Sequence, residues 1–185
     1  MKTTKKGFTL IELIVVIAII GVLAAILVPA MIGYVRQSKI RTADEAATSI
    51  KNGINAGLTD LQAGKVRVTG KGWVALSTMG GATEDKKTTT TYDMAKDGAT
   101  LGAALKDYVS EYFSDIASVS GEAAIKEGTC VAVVCTVDGN YYGSYPTGAI
   151  TSKSYTKGQL KDSVSLTNAK AEFNANCDAC SDFGK

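Results

Sequence analysis

The pattern of apolar and polar positions divides the chain into a continuous apolar run, an amphipathic stretch and a mixed remainder. No charged residue occurs from Leu13 to Gly33, which is about the 20 residues that a helix needs to cross a bilayer. Apolar residues then recur at spacings of three and four, the period of a helix with one buried face. This stripe comprises Ala43, Ala46, Ala47, Ile50, Ile54, Leu58 and Leu61. Together the two patterns predict one long helix from Phe8 to about Gly64.

The remainder of the chain predicts a mixed domain of helices and strands. Its best strand is Thr129–Val137, which is rich in β-branched residues and runs into the hairpin turn Asp138-Gly139. A second helix is predicted over 99–117, a short one over 168–176, further strands over 65–69, 73–76 and 148–155, and a polar loop over 80–91. The fold class is therefore predicted as α+β, with the long N-terminal helix packed on a small antiparallel sheet.

A basic patch and a single carboxylate precede the apolar run. The patch contains Lys2, Lys5 and Lys6, and Glu12 lies at the boundary with the apolar segment. A charged side chain costs about 2.5–3.5 kcal/mol when it reaches the centre of a bilayer. We therefore regard Glu12 as a candidate functional residue.

The order of these features resembles the processing motif of type IV prepilins. That motif is a short basic leader ending in glycine, followed by Phe-Thr-Leu-Ile-Glu and an apolar helix, and here it is Gly7 to Glu12. The segment Gly21–Ile26 and Pro29 also match the family's N-terminal helix. Met31 departs from the pattern, since many members carry an aromatic residue there, whereas Tyr34 is kept. The resemblance covers about residues 1–60.

The resemblance implies a four-part organisation and a structural role. It divides the chain into a leader peptide (1–7), a hydrophobic membrane and filament-core helix (8–34), an amphipathic helix (35–64) and a globular head (65–185) that contains the cysteines. Cleavage is expected after Gly7, followed by methylation of the new amine of Phe8. The subunit would cross the cytoplasmic membrane once before assembly and would then form an extracellular pilus.

The same resemblance assigns roles within the N-terminal helix. Glu12 of one subunit is expected to meet the N-terminal amine of a neighbour, with Thr9 helping to satisfy nearby polar groups. An intramolecular pair, or simple stabilisation of the helix dipole, is the alternative for Glu12. Gly21 and Pro29 weaken the hydrogen-bond ladder, and the resemblance implies that the helix between them stretches or melts in a filament.

The expected partners are copies of the same chain in a helical filament, a prepilin peptidase and methyltransferase, the assembly machinery and the membrane. Other functions remain open from the sequence. They include a pseudopilin of a type II secretion or DNA-uptake machine, and a minor adhesive or DNA-binding pilin with Tyr141, Tyr142 and Tyr145 as candidate contacts. An ordinary secretory signal ending at Val28-Pro29-Ala30, or a plain signal anchor, is the alternative for the N-terminus.

Composition further limits the functions that the chain can have. The chain contains no histidine, which removes the commonest general base and every Ser-His or Cys-His dyad. The formal net charge is +2, and loss of the three leader lysines would leave the side chains at −1, without the strongly basic balance typical of nucleic-acid binding. We expect neither an enzyme nor a cofactor.

The four cysteines are Cys130, Cys135, Cys177 and Cys180. Export and an even count favour disulfides, while the Cys-x-x-Cys spacing at 177–180 leaves a four-cysteine zinc site, a redox pair and free thiols as alternatives. Cys130 and Cys135 are an odd number of residues apart in a predicted strand, so their side chains are expected on opposite faces. Three pairings are possible, and the sequence does not choose among them.

Overall fold

The computed structural model of the chain describes residues 8–80 and 91–147, and these divide into two compact units after Ser38. One long helix, α1 (Leu10–Ala63), contributes to both units. Its bounds lie close to those predicted from the two apolar patterns. It continues without interruption through Pro29, although proline removes one hydrogen bond of the helical ladder.

The first unit is the apolar part of α1. Every large apolar side chain from Phe8 to Val35 is at least 46% exposed. Within the described residues, α1 contains the one segment long and apolar enough to cross a membrane, with a mean hydropathy of 3.2. A helix that is apolar on all sides requires lipid or other apolar helices around it.

The second unit, from Lys39, combines the amphipathic part of α1 with a four-stranded antiparallel sheet. After α1 come β1 (Arg67–Thr69), β2 (Lys71–Ala75), α2 (Ser77–Gly80), β3 (Thr91–Asp93), α3 (Gly98–Tyr112), a 3-10 turn (Ile116–Ser118), β4 (Ser120–Lys126), β5 (Thr129–Thr136) and β6 (Tyr142–Tyr145). The sheet has the order β2-β4-β5-β6 with antiparallel neighbours, and β1 and β3 form a separate parallel pair. The predicted α+β class, with its long helix on a small antiparallel sheet, is confirmed.

Two strands differ from the sequence-based prediction. β4 has no predicted counterpart, because Glu122 to Lys126 consists largely of residues common in helices, yet it pairs with β2 on one side and β5 on the other. β3 pairs in parallel with β1, a contact between distant segments that no local pattern indicates. The expected strand over 148–155 and the expected helix over 168–176 lie outside the described residues.

The apolar stripe of α1 forms the centre of the core. Its members from Ala43 to Leu58 are buried, and Leu61 is partly buried against the core. Two glycines on the helix, Gly53 and Gly57, let α3 approach closely. A Cβ atom at Gly53 would lie 2.8 Å from the Cα of Val109, and one at Gly57 would lie 2.6 Å from Cδ2 of Leu105. The backbone contact at Gly53 requires glycine, although glycine weakens a helix, and a side chain at Gly57 would displace Leu105 and Tyr108.

The outer edge of the sheet is held by a carboxylate of α1. β6 is an edge strand, and the backbone N–H of Ser144 donates to Oδ1 of Asp44 at 2.8 Å. Burial raises the pKa of Asp44, while this hydrogen bond acts in the opposite direction and the neighbouring Glu45 raises the pKa further. Asp44 thus accepts a hydrogen bond from one N–H group on the open edge of β6. Its own carboxylate is partly desolvated in this position.

Candidate functional site

Thr9 and Glu12 form a reciprocal cap at the beginning of α1. The backbone N–H of Thr9 donates to Oε2 of Glu12 at 2.8 Å, and the Thr9 hydroxyl donates to the same oxygen at 2.7 Å. The backbone N–H of Glu12 in turn donates to the Thr9 hydroxyl oxygen at 3.4 Å. This is the capping-box arrangement, in which two of the unpaired donors at a helix start are satisfied by side chains.

The cap places the carboxylate next to the predicted processing point. Phe8 is the first described residue and is 85% exposed, and Glu12 lies about one helical turn further on. The two hydrogen bonds that Glu12 accepts from Thr9 both end on Oε2, so they leave Oε1 available. The geometry therefore gives Glu12 a hydrogen-bonded cap within its own chain and still leaves one oxygen for another donor.

Thr9 has a larger part than predicted, because it forms this cap with Glu12. The signal was present, because a Ser or Thr followed three residues later by Glu or Gln, just before an apolar run, is the sequence pattern of a capping box. Thr9 and Glu12 are thus brought together as a pair, whereas Gly21 and Pro29 lie further along the same helix. A Cβ atom at Gly21 would meet nothing within 4 Å, and Pro29 is inside the continuous helix. Melting of this segment remains a prediction about the assembled state.

A β-bulge in β5 changes the relation between the two described cysteines. Ala132 pairs with Ala124 and Cys130 pairs with Ile125, so Val131 is an extra residue opposite β4. One extra residue reverses the alternation of side chains. Cys130 and Cys135 consequently both belong to the core, and the expectation that they face opposite sides is wrong.

The same geometry excludes a disulfide between Cys130 and Cys135. Both lie in the continuous strand β5, five residues apart, which corresponds to about 15 Å along an extended chain. A disulfide requires Cα atoms within about 7 Å of each other. Both cysteines are buried, neither is bonded to another described cysteine, and burial raises the pKa of each thiol to about 12. Cys177 and Cys180 lie outside the described residues, so a pairing that involves them stays a prediction.

Asn55 of α1 is a polar residue that the sequence did not single out. Its Oδ1 accepts the backbone N–H of Cys130 at 2.8 Å, and its Nδ2 donates to the carbonyl oxygen of Cys130 at 3.4 Å. The side-chain amide thus pairs with both main-chain groups of the residue next to the bulge. Asn55 lies at the edge of the apolar stripe, beside Ile54 and Leu58 and among polar residues, so no local sequence pattern indicates this pairing.

Two of the three tyrosines considered as ligand contacts pack within the head. Tyr142 is buried, and Tyr145 is partly buried against the core with the Lys51 ammonium 4.7 Å from the centre of its ring. Tyr141 is only partly exposed. These three residues therefore do not form an open aromatic surface. In the parts of the chain that the structure describes, His, Cys, Asp and Glu side chains form no cluster of three or more suited to a metal ion.

Comparisons with known proteins agree with the features of the N-terminus. Residues 2–28 match the family model described as the prokaryotic N-terminal methylation motif. The chain is 35% identical over 108 residues to the type IV major fimbrial protein FimA of Dichelobacter nodosus (strain VCS1703A), which is 58% of this chain and 63% of that protein. It is 45% identical over 67 residues to a fimbrial protein of Moraxella nonliquefaciens, covering 36% of this chain and 42% of that protein.

A third relative, the fimbrial protein EcpC of Eikenella corrodens, is 47% identical over 60 residues, or 32% of this chain and 39% of that protein. The matches thus span less than two thirds of the length of these relatives. The names of the relatives describe fimbrial proteins, and none of the three names an enzyme. No solved structure gives a significant match.

Proposed function

We propose that this chain, which the methylation motif and the fimbrial relatives support as a type IV pilin, is a structural subunit of a type IV pilus. In this proposal it is inserted in the membrane, cleaved after Gly7, methylated at Phe8 and polymerised through its N-terminal helix. The observation that carries the proposal is the capped, exposed apolar helix that begins within the motif.

The exposed apolar helix supports polymerisation because it has two suitable environments. In the membrane, lipid surrounds the helix between Leu13 and Gly33. In a filament, the corresponding helices of neighbouring subunits take the place of lipid. The transfer exchanges one apolar environment for another, so the polar groups at the helix start decide how subunits recognise one another.

Glu12 is the group suited to that recognition. Cleavage after Gly7 would create a cationic amine on Phe8, since an α-amine has a pKa near 8. A carboxylate in apolar surroundings requires a partner of opposite charge or it takes up a proton. Oε2 is used by Thr9 within the chain, and Oε1 is the oxygen that would accept the amine of a neighbouring subunit.

The amphipathic part of α1 would connect this filament core to the head. Its buried stripe packs in the second unit, with Gly53 and Gly57 in contact with α3. The names of the relatives, which include major fimbrial proteins, support a bulk filament subunit in preference to a pseudopilin or a minor binding subunit. The proposal assigns no catalytic step and no cofactor to this chain.

Immunogold labelling of intact cells tests this function. Antibodies against the head should label long surface fibres along their whole length, and deletion of the gene should remove those fibres. Labelling confined to the envelope, or to isolated points on fibres made of another protein, would contradict the role of bulk subunit. A variant with Gly7→Asp serves as the control, because an uncleaved precursor should remain in the membrane without fibres.

A further inference from the structure

A polar groove lies in the head beside β1, at the C-terminal end of α1. Its volume is about 580 Å³, and its lining includes Gln62, Lys65, Arg67, Thr69 and Glu127. This volume is within the range of pockets that hold one small ligand, about 300–1,000 Å³. The groove is distinct from the apolar part of α1 proposed for assembly, because every one of these residues belongs to the second unit.

The groove contains two cationic groups that face solvent. Lys65 and Arg67 are both exposed, and neither forms an ion pair with any residue that the structure describes. Lys65 has a φ of 64°, which places it in the left-handed region at the end of α1 and turns the chain into β1. The turn brings an ammonium and a guanidinium to the same opening, and a guanidinium is well suited to bind a carboxylate or sulfate through two parallel hydrogen bonds.

The remaining lining groups are fixed and are of mixed polarity. Oε1 of Glu127 accepts the backbone N–H of Gly70 at 3.0 Å, and the Gln62 side chain donates to the carbonyl oxygen of Gly128 at 3.3 Å. The groove therefore offers two cations, one carboxylate, an amide and a hydroxyl. A simple inorganic anion would leave Glu127 without a hydrogen-bond donor, whereas a ligand with both hydroxyl donors and an acidic group can pair with all of these groups.

The described lining residues of the groove include no aromatic ring. Single-stranded nucleic acids are bound largely through bases stacked on aromatic side chains, and the apolar lining here is Val66 and Val68. We propose that the groove binds an acidic saccharide, such as a uronic acid unit of a surface polysaccharide. Lys65 and Arg67 would bind its carboxylate, and Glu127 would accept hydrogen bonds from its hydroxyl groups.

Titration calorimetry of the full-length protein in an uncharged detergent tests this site. The probe is a tetramer of galacturonic acid, and the neutral tetramer of galactose is the matched ligand without carboxylates. We expect saturable binding of the acidic tetramer that weakens as salt rises, and binding of the neutral tetramer at least about tenfold weaker.

The test variant carries both Lys65→Gln and Arg67→Gln. These substitutions remove both cations of the groove, and both positions are exposed. Glutamine at 65 has the same backbone strain as lysine, so we expect an unchanged circular dichroism spectrum and affinity reduced by about tenfold or more. Lys39→Gln is the control for loss of a cation outside the groove, because Lys39 lies at the other end of the amphipathic helix in a weak surface pair with Asp138, 3.8 Å apart. It should bind the acidic tetramer as the parent does.

Three results would overturn the proposal. One is the lack of saturable binding of the acidic tetramer by the parent protein. Another is equal affinity of the parent and the doubly substituted protein. The third is tighter binding of a single-stranded DNA oligomer that depends on Lys65 and Arg67, which would assign the groove to nucleic acid instead.

Discussion

Replacement of Glu12 by glutamine separates the two roles that its carboxylate can have. In the structure the carboxylate accepts hydrogen bonds from the N–H and the hydroxyl of Thr9, at 2.8 and 2.7 Å. The amide oxygen of glutamine can accept the same bonds, since glutamine is also a capping-box residue. Glu12→Gln therefore keeps the helix cap and removes only the negative charge.

The two roles predict effects of different size. Loss of a helix cap costs about 0.5–2 kcal/mol, and Glu12→Gln should avoid most of that cost. Loss of one partner of a buried ion pair costs about 3–5 kcal/mol, which corresponds to a factor of hundreds to thousands in the addition of each subunit. We expect Glu12→Gln to be cleaved and methylated, since residue 12 lies beyond the scissile bond, and to yield few or no fibres.

Thr9→Ala provides the complementary change, because it removes the hydroxyl of the cap and leaves the charge of Glu12 in place. It should lower the stability of the helix start by about 0.5–2 kcal/mol and should still assemble. The assay compares immunoblots of processed protein in membranes with the yield of sheared fibres. Wild-type fibre yield from a processed Glu12→Gln protein would refute recruitment by charge and would leave Glu12 as a local cap.

Three further predictions concern the head. Asp44→Asn should keep the acceptor for the N–H of Ser144 and remove a desolvated charge. Because burial raises the pKa of Asp44, the parent should lose stability as the pH rises from the ordinary carboxyl pKa of 3.8 through the higher folded value. Denaturation followed by Trp73 fluorescence should show that this loss is absent in Asp44→Asn, and an equal pH dependence in both proteins would contradict the argument. Gly53→Ala should destabilise the head by about 1–3 kcal/mol in the same assay, since the new Cβ meets the backbone of α3, and a stabilised variant would show that the helices can separate at little cost. Non-reducing peptide mapping should find no disulfide between Cys130 and Cys135, and a cross-linked pair of those peptides would contradict the continuous strand β5.

The sequence predicted the elements whose pattern is local and strong. The helix α1 was predicted from an unbroken apolar run and from a stripe of regular spacing. The structure contains the whole helix, because the residues that recur with the helical period are also the residues that pack in the core. β5 and the turn after it follow from β-branched residues and from Asp138-Gly139. In each case the residues that define the pattern also make the contacts that stabilise the element.

The elements that the sequence did not predict depend on distant partners. β4 contains alanine and lysine, and its conformation is set by pairing with strands on both sides. The bulge at Val131 is another such feature, because only the register with β4 reveals the extra residue. It reversed the predicted orientation of Cys130 and Cys135, and Asn55 pairs with the backbone beside it from a helix 75 residues earlier in the chain.

The central claim is that this chain is a processed pilus subunit, and the mass of the protein in sheared surface fibres tests it most directly. We predict that fibres contain this chain, that its first residue is Phe8, and that its terminal amine carries a methyl group. An N-terminus at Met31 would indicate cleavage by an ordinary signal peptidase at Ala30, and an intact chain starting at Met1 would indicate a signal anchor. Either result, or the absence of the chain from the fibres, would contradict the account.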